Sequence, residues 1–396
     1  MPQNIKRREL IAGAGAALLL GSLPGCAVGL RDTSRRPTAA ETLSFPRLRA
    51  SVDRITRITV CTRPFRAQGP RLELERIGEK SVVHNYGHGG SGWSLSWGSS
   101  GIAVAKALST GERDIGVIGC GALGITSALL LQRAGARVTI YAKELPPNVR
   151  SSLATGLWTP DSRICFDENA TPEFKQTWAA MARDSYRTYQ TLMGLPGNPV
   201  EFIDSFAVSD TADTHRHHDA SPTDTRPKFA ELQRELISDL IPNSAEYGPG
   251  THPFANRYLR RNTFMMFNLA SYSRMLMSDF LANGGKIEIV EFHSPGDLAT
   301  LRQKTLVNAT GYGARALFND SSLTPVRGQL ARLIPQPEVN YGLYYKGVSF
   351  VPRRDGLVFQ SVGEDDYYGF NDATAEPDPT EANFAVTTIA QLFANA

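Results

Sequence analysis

The stretch that decides the fold is residues 114–143, which read DIGVIGCGALGITSALLLQRAGARVTIYAK. Residues 115–118 are an apolar strand, and a glycine-rich turn leads into an apolar helix that ends at Gly135. Residues 138–141 form a second strand. A strand, glycine turn, helix and strand within about thirty residues are typical of the βαβ unit that binds dinucleotides. The alternative is a βαβ unit with a purely structural role.

The glycines of this turn have distinct physical tasks. Gly119 permits the tight turn, Gly121 lets the backbone approach a pyrophosphate, and Gly124 lets the helix and strand pack closely. The amino terminus of the helix favours the negative charge of a phosphate. We therefore predict that Gly119, Gly121, Ala122, Leu123 and Gly124 bind the cofactor.

The acid that would hold the adenosine ribose is expected at the end of the second strand, where Ala142 stands. Lys143 and Glu144 follow directly, and Glu144 is the best candidate for this contact. Both residues are included in the predicted cofactor site.

Composition limits the class of protein without naming its chemistry. The chain has 396 residues, enough for two domains or one large one at about 150 residues per domain. The 42 Lys+Arg and 39 Asp+Glu residues leave a net charge of +3, which is too balanced for a dedicated nucleic-acid-binding protein. Four cysteines without a CxxC pair exclude a disulfide scaffold and give no sign of a zinc site.

The amino-terminal residues are interpreted as an export signal (1–26) and a polar tether (27–50). A basic head at residues 6–8 precedes a weakly apolar stretch that is shorter than the about 20 residues of a spanning helix. The adjacent arginines resemble twin-arginine signals, which export folded proteins, so we expect a periplasmic protein. Residues 23–26 (LPGC) resemble a lipoprotein cleavage box, and a lipid anchor at Cys26 stays open. An amphipathic helix is the alternative to a signal.

A second glycine-rich segment lies ahead of the βαβ unit, where residues 82–99 read VVHNYGHGGSGWSLSWGS. Together with RPFR at residues 63–66 and RLE at residues 71–73, it resembles a segment of the D-amino-acid oxidase family of FAD enzymes. In that family the segment lies at the carboxyl end of the chain, followed by one last helix. Here a helix over residues 101–108 leads directly into the first strand of the βαβ unit. The order of segments therefore resembles a circular permutation, which is physically easy where chain termini lie close together.

Three later segments extend the resemblance to about residues 63–363, with gaps between residues 167 and 286. They are ATGLWTP at residues 154–160, LVNATG at residues 306–311 and PVRGQ at residues 325–329. The resemblance implies an α/β fold with a Rossmann-type FAD-binding domain and a strand-rich substrate domain in permuted order.

The predicted domains alternate along the chain. The substrate domain is expected at residues 51–68, 161–261 and 319–396, the last with a carboxyl-terminal helix. The FAD-binding domain is expected at residues 69–160 and 262–318. Further helices are expected over residues 174–192 and 229–240.

The resemblance implies oxidation of the C–N bond of a D-amino acid or a related amine. A hydride passes to flavin N5 of FAD, and the imine product hydrolyses to an oxo acid and ammonia. Dioxygen or another electron acceptor then reoxidises the flavin, and dioxygen yields hydrogen peroxide. Two alternatives stay open: an NAD(P)-dependent Rossmann dehydrogenase, and a flavin-bearing binding protein without turnover.

Two residues match the family's catalytic positions. Arg63 aligns with the arginine that clamps the substrate carboxylate, a task that suits a planar guanidinium. Tyr345 falls where a lid tyrosine covers the substrate, and Ser349 stands where the family has a second tyrosine. This departure puts ordinary D-amino acids in doubt as substrates. The alternatives are a surface arginine at position 63 and a packing tyrosine at position 345.

The resemblance also assigns cofactor contacts outside the βαβ unit. They are Gly156 and Leu157 beside the flavin, Thr310 and Gly311 near the pyrophosphate, and backbone N–H groups of Gly89, Gly90, Ser91, Gly92 and Trp93 toward the flavin pyrimidine oxygen. His88 is expected to position its neighbours rather than to act as a base.

Residues 213–219 (DTHRHHD) have the composition of a metal site. They lie in an aperiodic polar stretch, which favours a solvated loop over metal binding. No metal is predicted.

Overall fold

The computed structural model describes residues 42–214 and 224–394. The predicted export signal, Cys26 and most of the tether lie outside these residues, as do His215, His217 and His218. Within the described ranges, no helix has both the length and the apolar character needed to cross a membrane.

The described residues form strands and helices that alternate along the chain. In chain order the strands are β1 (Ile55–Arg66), β2 (Leu74–Ile77), β3 (Lys80–His84), β4 (Asp114–Ile118), β5 (Arg137–Ala142), β6 (Val200–Ser209), β7 (Ala245–Tyr247), β8 (Tyr258–Phe267), β9 (Lys286–Ile289), β10 (Thr305–Asn308), β11 (Leu323–Leu333), β12 (Tyr341–Tyr345), β13 (Val348–Arg353) and β14 (Gly356–Ser361). The helices are α1 (Ser96–Leu108), α2 (Ala122–Arg133), α3 (Pro172–Gln190), α4 (Leu232–Leu236), α5 (Leu269–Ala282), α6 (Ala314–Leu317) and α7 (Pro379–Ala390).

The smaller sheet contains the βαβ unit. Its strand order is β2-β3-β10-β4-β5-β9, and all its strands are parallel except the edge strand β2. Strand β10 lies between β3 and β4, so the connection from β3 through α1 to β4 crosses over it. Helices α1, α2, α3 and α5 bury their apolar faces in one large hydrophobic cluster with this sheet. The carboxyl ends of β4, β5 and β10 therefore meet at one edge, where parallel sheets place their ligands.

The larger sheet has eight strands in the order β1-β11-β14-β13-β12-β6-β8-β7. Its longest pairing joins β1 to β11, which are antiparallel from Ile55 opposite Leu333 to Arg66 opposite Leu323. One face of the sheet packs against α7 around Phe350, Phe359 and Ile389. The opposite face is turned toward the smaller sheet's ligand-binding edge.

Three predicted boundaries differ from the structure. Instead of one helix over residues 229–240 there are two short pieces, α4 and a 3-10 turn at Ser238–Leu240, because Phe229 forms a bridge with Phe166 and Ile237 leaves the helical region at φ −138°. The predicted domain boundary at residue 262 falls inside β8, which is paired along its whole length in the larger sheet. Helix α1 also begins at Ser96, five residues before the predicted start.

Candidate active site

A cavity of about 1300 Å³ lies between the ligand-binding edge of the smaller sheet and the face of the larger one. This is larger than the roughly 300–1,000 Å³ of a typical small-molecule site. Its walls contain most of the predicted site residues: Arg63, Gly89, Gly90, Gly92, Trp93, Gly119, Gly121, Ala122, Leu123, Lys143, Glu144, Gly156, Leu157, Thr310 and Gly311. Three predicted residues, Ser91, Gly124 and Tyr345, do not line it.

The turn between β4 and α2 can be built only with glycine at two positions. Gly119 has φ +100°, and a Cβ added to it would lie 2.6 Å from the carbonyl oxygen of Ala309. A Cβ on Gly124 would collide with the carbonyl oxygen of Gly119, so this residue acts through packing beneath the turn. The first turn of α2 carries no acidic residue, and Ser151 Oγ accepts the N–H of Ala122 at 3.0 Å. The helix amino terminus thus faces the cavity with its positive partial charge uncompensated by a carboxylate.

The ends of β5 and β9 bring three charged side chains to the same region. Lys143, Glu144 and Glu291 all line the cavity, and Lys143 Nζ pairs with Glu291 Oε1 at 3.1 Å. Glu144 keeps its place as the predicted ribose contact. Glu291, which follows β9, is a second carboxylate in reach that sequence reasoning missed.

The glycine-rich segment 87–92 packs against residues 159–163. The N–H of Gly90 donates to the carbonyl oxygen of Ser162 at 2.8 Å, and Ser91 Oγ donates to the same oxygen at 3.1 Å. Ser91 is fully buried, which explains why it supports the loop without facing the cavity. Gly89 has φ +53° and no room for a Cβ beside the carbonyl of Arg163.

His88 is a buried, neutral imidazole at the cavity wall. Ser99 Oγ donates its one proton to Asn85 Oδ1 at 2.7 Å. In its contact with His88 Nε2, also at 2.7 Å, the Ser99 hydroxyl must therefore be the acceptor, and Nε2 carries the proton. Burial lowers the pKa of His88 to about 3, which keeps the ring uncharged at neutral pH. Its Nδ1 has no hydrogen-bond partner among the described residues.

Arg63 reaches the cavity from β1 without an acidic partner in the described part of the chain. Its Nη1 donates to the carbonyl oxygen of Arg327 at 3.1 Å. The neighbouring arginines Arg66 and Arg71 pair with Asp320 and with Glu73 and Glu75, respectively. Arg63 therefore keeps its positive charge available to a ligand, whereas the other two are structural.

Tyr345 is directed away from the cavity, contrary to its predicted place over the substrate. It is 2% exposed, and its hydroxyl donates to Asp210 Oδ1 at 3.0 Å. Asp210 also pairs with Lys346 and Arg257. The physical reason is strand alternation, which puts Tyr345 on the face that packs toward α7 and its neighbour Tyr344 on the cavity face.

Tyr344 belongs to a row of cavity-facing residues that crosses the larger sheet. Tyr344 on β12 lies opposite Ser349 on β13, which lies opposite Gln360 on β14. In the other direction Tyr344 lies opposite Ala207 on β6, which lies opposite Arg260 on β8. All five line the cavity. The alternation within YGLYY places Tyr344 and Tyr345 on opposite faces, and the pairing of β12 with β6 and β13 decides which of them faces the cavity.

Two further titratable groups line the cavity without having been predicted to react. Asp161 accepts the N–H of Gln233 at 2.8 Å, and burial raises the pKa of its carboxyl to about 6. Burial raises the pKa of the Cys120 thiol to about 12, so this residue stays protonated and unreactive at neutral pH.

Comparison with known proteins gives concordant matches. The family model described as DAO, FAD dependent oxidoreductase, matches residues 114–396. A D-amino-acid oxidase from Streptomyces coelicolor is 28% identical over 289 residues, which are 71% of this chain and 78% of that protein. A D-amino acid oxidase from Dugesia ryukyuensis is 26% identical over 270 residues, 62% of this chain and 68% of that protein. Among solved structures, glycine oxidase from Bacillus cereus is similar with a TM-score of 0.46 and 13% identity, covering 70% of this chain and 77% of that one.

Proposed function

Since the chain belongs to the DAO family of FAD-dependent oxidoreductases, we propose that it oxidises the C–N bond of an amino acid or a related amine bound by Arg63. The observation that carries this proposal is the position of Arg63. It is a cation at the cavity wall, held by a neutral carbonyl group, with no carboxylate partner in the described residues. A planar guanidinium in this state suits the carboxylate of an amino acid.

The residues present fit FAD as the cofactor. The glycine-only turn and the open amino terminus of α2 suit a pyrophosphate, and the cavity extends from there to the larger sheet. We assign Gly119, Gly121, Ala122, Leu123, Thr310 and Gly311 to the pyrophosphate side, Lys143 and Glu144 to the adenosine, and Gly89, Gly90, Gly92, Trp93, Gly156 and Leu157 to the flavin. The predicted N–H donation to the flavin is wrong for Gly89, Gly90 and Ser91, because their N–H groups donate to the carbonyl oxygens of Pro64, Ser162 and His88. Gly124 and Ser91 support these contacts from behind. When bound, FAD accepts the hydride from the substrate.

The protein's own part in the reaction is orientation. Arg63 would fix the carboxylate, and with it the direction of the substrate Cα–H bond. The substrate loses a hydride and a proton to become an imine, which water hydrolyses to an oxo acid and ammonia. Dioxygen or another acceptor removes the two electrons and completes the cycle, with hydrogen peroxide as the product of dioxygen. No strong base is needed, which agrees with a neutral, buried His88.

The row of cavity-facing residues on the larger sheet should decide which substrates fit. Ser349 and Ala207 are small, and Tyr344, which lies opposite both of them, supplies the phenolic hydroxyl of the row. We propose that this wall admits amines other than simple D-amino acids, including glycine derivatives and secondary amines.

We also propose that the segment order is a circular permutation. The family model begins at residue 114, although the family-like segments at residues 63–92 precede it and line the same cavity. Helix α7 packs beside residues 52–54, so the two ends of the described body lie close together. A rearranged gene that places residues 42–113 after residue 394 should yield a folded, yellow protein. An insoluble or colourless product would contradict the proposal.

The export assignment is a separate proposal that rests on residues 1–26. Changing Arg7 and Arg8 to lysine should retain the protein in the cytoplasm, as measured by cell fractionation. Periplasmic accumulation of that variant would contradict a twin-arginine route, and labelling of Cys26 with a fatty-acid analogue would decide on the lipid anchor.

The central test is an absorbance spectrum of the purified protein, followed by peroxide detection with D-amino acids, glycine derivatives and secondary amines. A yellow protein whose colour is bleached anaerobically by one of these amines supports the proposal. Tight NAD(P) binding by a colourless protein would favour the dehydrogenase alternative. Bound FAD that no amine reduces would favour a binding protein without turnover.

Arg63→Ala tests the carboxylate contact. We expect the KM for a carboxylate substrate to rise about 10- to 100-fold, since a hydrogen bond to a charged group is worth about 1.5–3 kcal/mol. Arg66→Ala is the matched control, because Arg66 lies three residues along the same strand and pairs with Asp320 outside the cavity. An unchanged KM in the Arg63 variant would refute the assignment.

A further inference from the structure

The guanidinium of Arg63 lies flat against the backbone of β11 at Gly328. Arg63 pairs with Val326, so Gly328 is its diagonal neighbour, two residues along the partner strand on the same face. A Cβ added to Gly328 would lie 2.6 Å from Nη2 of Arg63 and 2.8 Å from both Cζ and Nη1. These three atoms are the nearest neighbours of that position, so the space of the missing side chain is taken by the guanidinium.

The same site anchors Arg63 without neutralising it. Nη1 donates to the carbonyl oxygen of Arg327, the residue directly before Gly328. A guanidinium has five N–H donors, and this bond uses one of them. A neutral acceptor fixes the plane of the group while its charge stays available to an anion in the cavity.

The backbone that forms this anchor is itself held from behind. The N–H of Arg327 donates to the carbonyl oxygen of Gly369 at 2.8 Å. The buried Arg327 side chain pairs with Glu381 of α7 at 2.6 Å. The carbonyl oxygen that receives Arg63 is therefore attached to a strand fixed on its other side by an ion pair to a helix.

We propose that Gly328 is a positioning residue: with the Arg327 carbonyl it forms a seat that directs the Arg63 guanidinium toward the carboxylate of the substrate. The inference rests on the proposed function, since it assumes that Arg63 binds an anion. A methyl group at position 328 would push the guanidinium outward by about 1 Å, toward the ordinary contact distance of about 3.5–4.0 Å. The displaced atoms are the tip of a flexible side chain, so the fold should be preserved. The position and orientation of the Arg63 guanidinium, however, would change.

The experiment is a double-mutant cycle on the full-length holoenzyme with Gly328→Ala, Arg63→Ala and both changes together. A simple aliphatic monocarboxylate serves as the probe, and its dissociation constant is read from the perturbation of the flavin absorbance spectrum. We expect Gly328→Ala to keep its flavin and to bind the probe about tenfold more weakly, because a misplacement of about 1 Å commonly has a large effect on a positioned contact. In the Arg63→Ala background the Gly328 change should have no further effect on the dissociation constant. Gly101→Ala, at an exposed helix position with open space around it, controls for a generic glycine effect.

Each outcome decides between the two assignments. If Arg63→Ala weakens binding but Gly328→Ala does not, the seat is refuted and the proposed function stands. If Gly328→Ala weakens binding equally in both backgrounds, its effect is structural and the seat is also refuted. If Arg63→Ala does not change the dissociation constant of the probe, Arg63 does not bind the carboxylate. Both the proposed role of Arg63 and the positioning role of Gly328 are then refuted. Should Gly328→Ala alone not fold, removing the guanidinium must restore folding, and an unfolded double variant would overturn the proposal.

Discussion

One wall of the cavity is built from backbone and the opposite wall from side chains. The nucleotide wall, defined as the turn 119–123 and the ends of β4, β5 and β10, presents N–H groups and a helix terminus. The substrate wall, defined as Arg63, Tyr344, Ser349, Gln360 and Ala207, presents side chains from five strands of the larger sheet. Most of the first wall comes from the continuous stretch 114–142, to which only the end of β10 is added, whereas the second is assembled from strands distributed along the chain.

This difference decides what each wall tolerates. The shape of a wall made of backbone is preserved only where a new side chain has room for its Cβ atom. A substitution at a single glycine can therefore disrupt it. A side-chain wall depends on which face each residue takes, and a shift of register by one residue would reverse every face. Substitutions in the nucleotide wall should therefore abolish cofactor binding, and those in the substrate wall should alter affinity by degrees.

The largest effect is expected at Gly124, which lies beneath the nucleotide wall. Gly124→Ala forces a Cβ against the carbonyl oxygen of Gly119, a backbone atom that cannot move away as a side chain can. We expect unfolding to become easier by about 1–3 kcal/mol and FAD to be lost on gel filtration. Urea unfolding and the ratio of flavin to protein absorbance measure both. Retention of FAD at the wild-type level, matching Gly101→Ala, would break the contrast between the walls.

The same contrast explains what sequence could predict. The strand at residues 115–118 and the helix ending at Gly135 were predicted within a few residues of β4 and α2, because their pattern is local. The family and the dependence on FAD are confirmed by the family match. Tyr345 was assigned to the wrong face, because alternation alone does not say which side of β12 faces the cavity until its pairing with β6 and β13 is known. The prediction of a helix over residues 229–240 was wrong for a similar reason, because Phe229 forms a β-bridge with Phe166, which is distant in the sequence.

An intermediate effect is expected where the two tyrosines of β12 are compared. Tyr344→Phe removes a hydroxyl from the substrate wall, and we expect a KM about tenfold higher if it bonds the charged substrate, equivalent to about 1.4 kcal/mol. Tyr345→Phe removes a hydroxyl bound to Asp210, which keeps Lys346 and Arg257, so we expect about 0.5–1.5 kcal/mol of stability to be lost. Steady-state kinetics and urea unfolding of both variants give the comparison. A raised KM for Tyr345→Phe with none for Tyr344→Phe would restore the original assignment.

The smallest effect on ligand binding is expected at Asp161, which instead affects how stability depends on pH. Its carboxylate accepts the N–H of Gln233 and so joins the cavity wall around α4 to the turn beside the glycine-rich segment. Burial raises the pKa of this carboxyl to about 6, whereas in the unfolded chain it is about 3.9. Between these values the folded protein holds a proton that the unfolded chain has released, so stability falls as pH rises from about 4 to 6. Asp161→Asn should flatten this decline in thermal unfolding scans while its amide oxygen still accepts the N–H of Gln233.

Asp239 provides a control of opposite sign for that experiment. Its exposed carboxyl is bound by Arg183, which lowers its pKa, so its contribution to stability grows as pH rises through the acidic range. Asp239→Asn should therefore make the decline between pH 4 and 6 steeper at its acid end, where Asp161→Asn makes it flatter. If both variants change the slope in the same direction, Asp161 is not a buried acid. The cavity wall around α4 would then be open to solvent at this carboxyl.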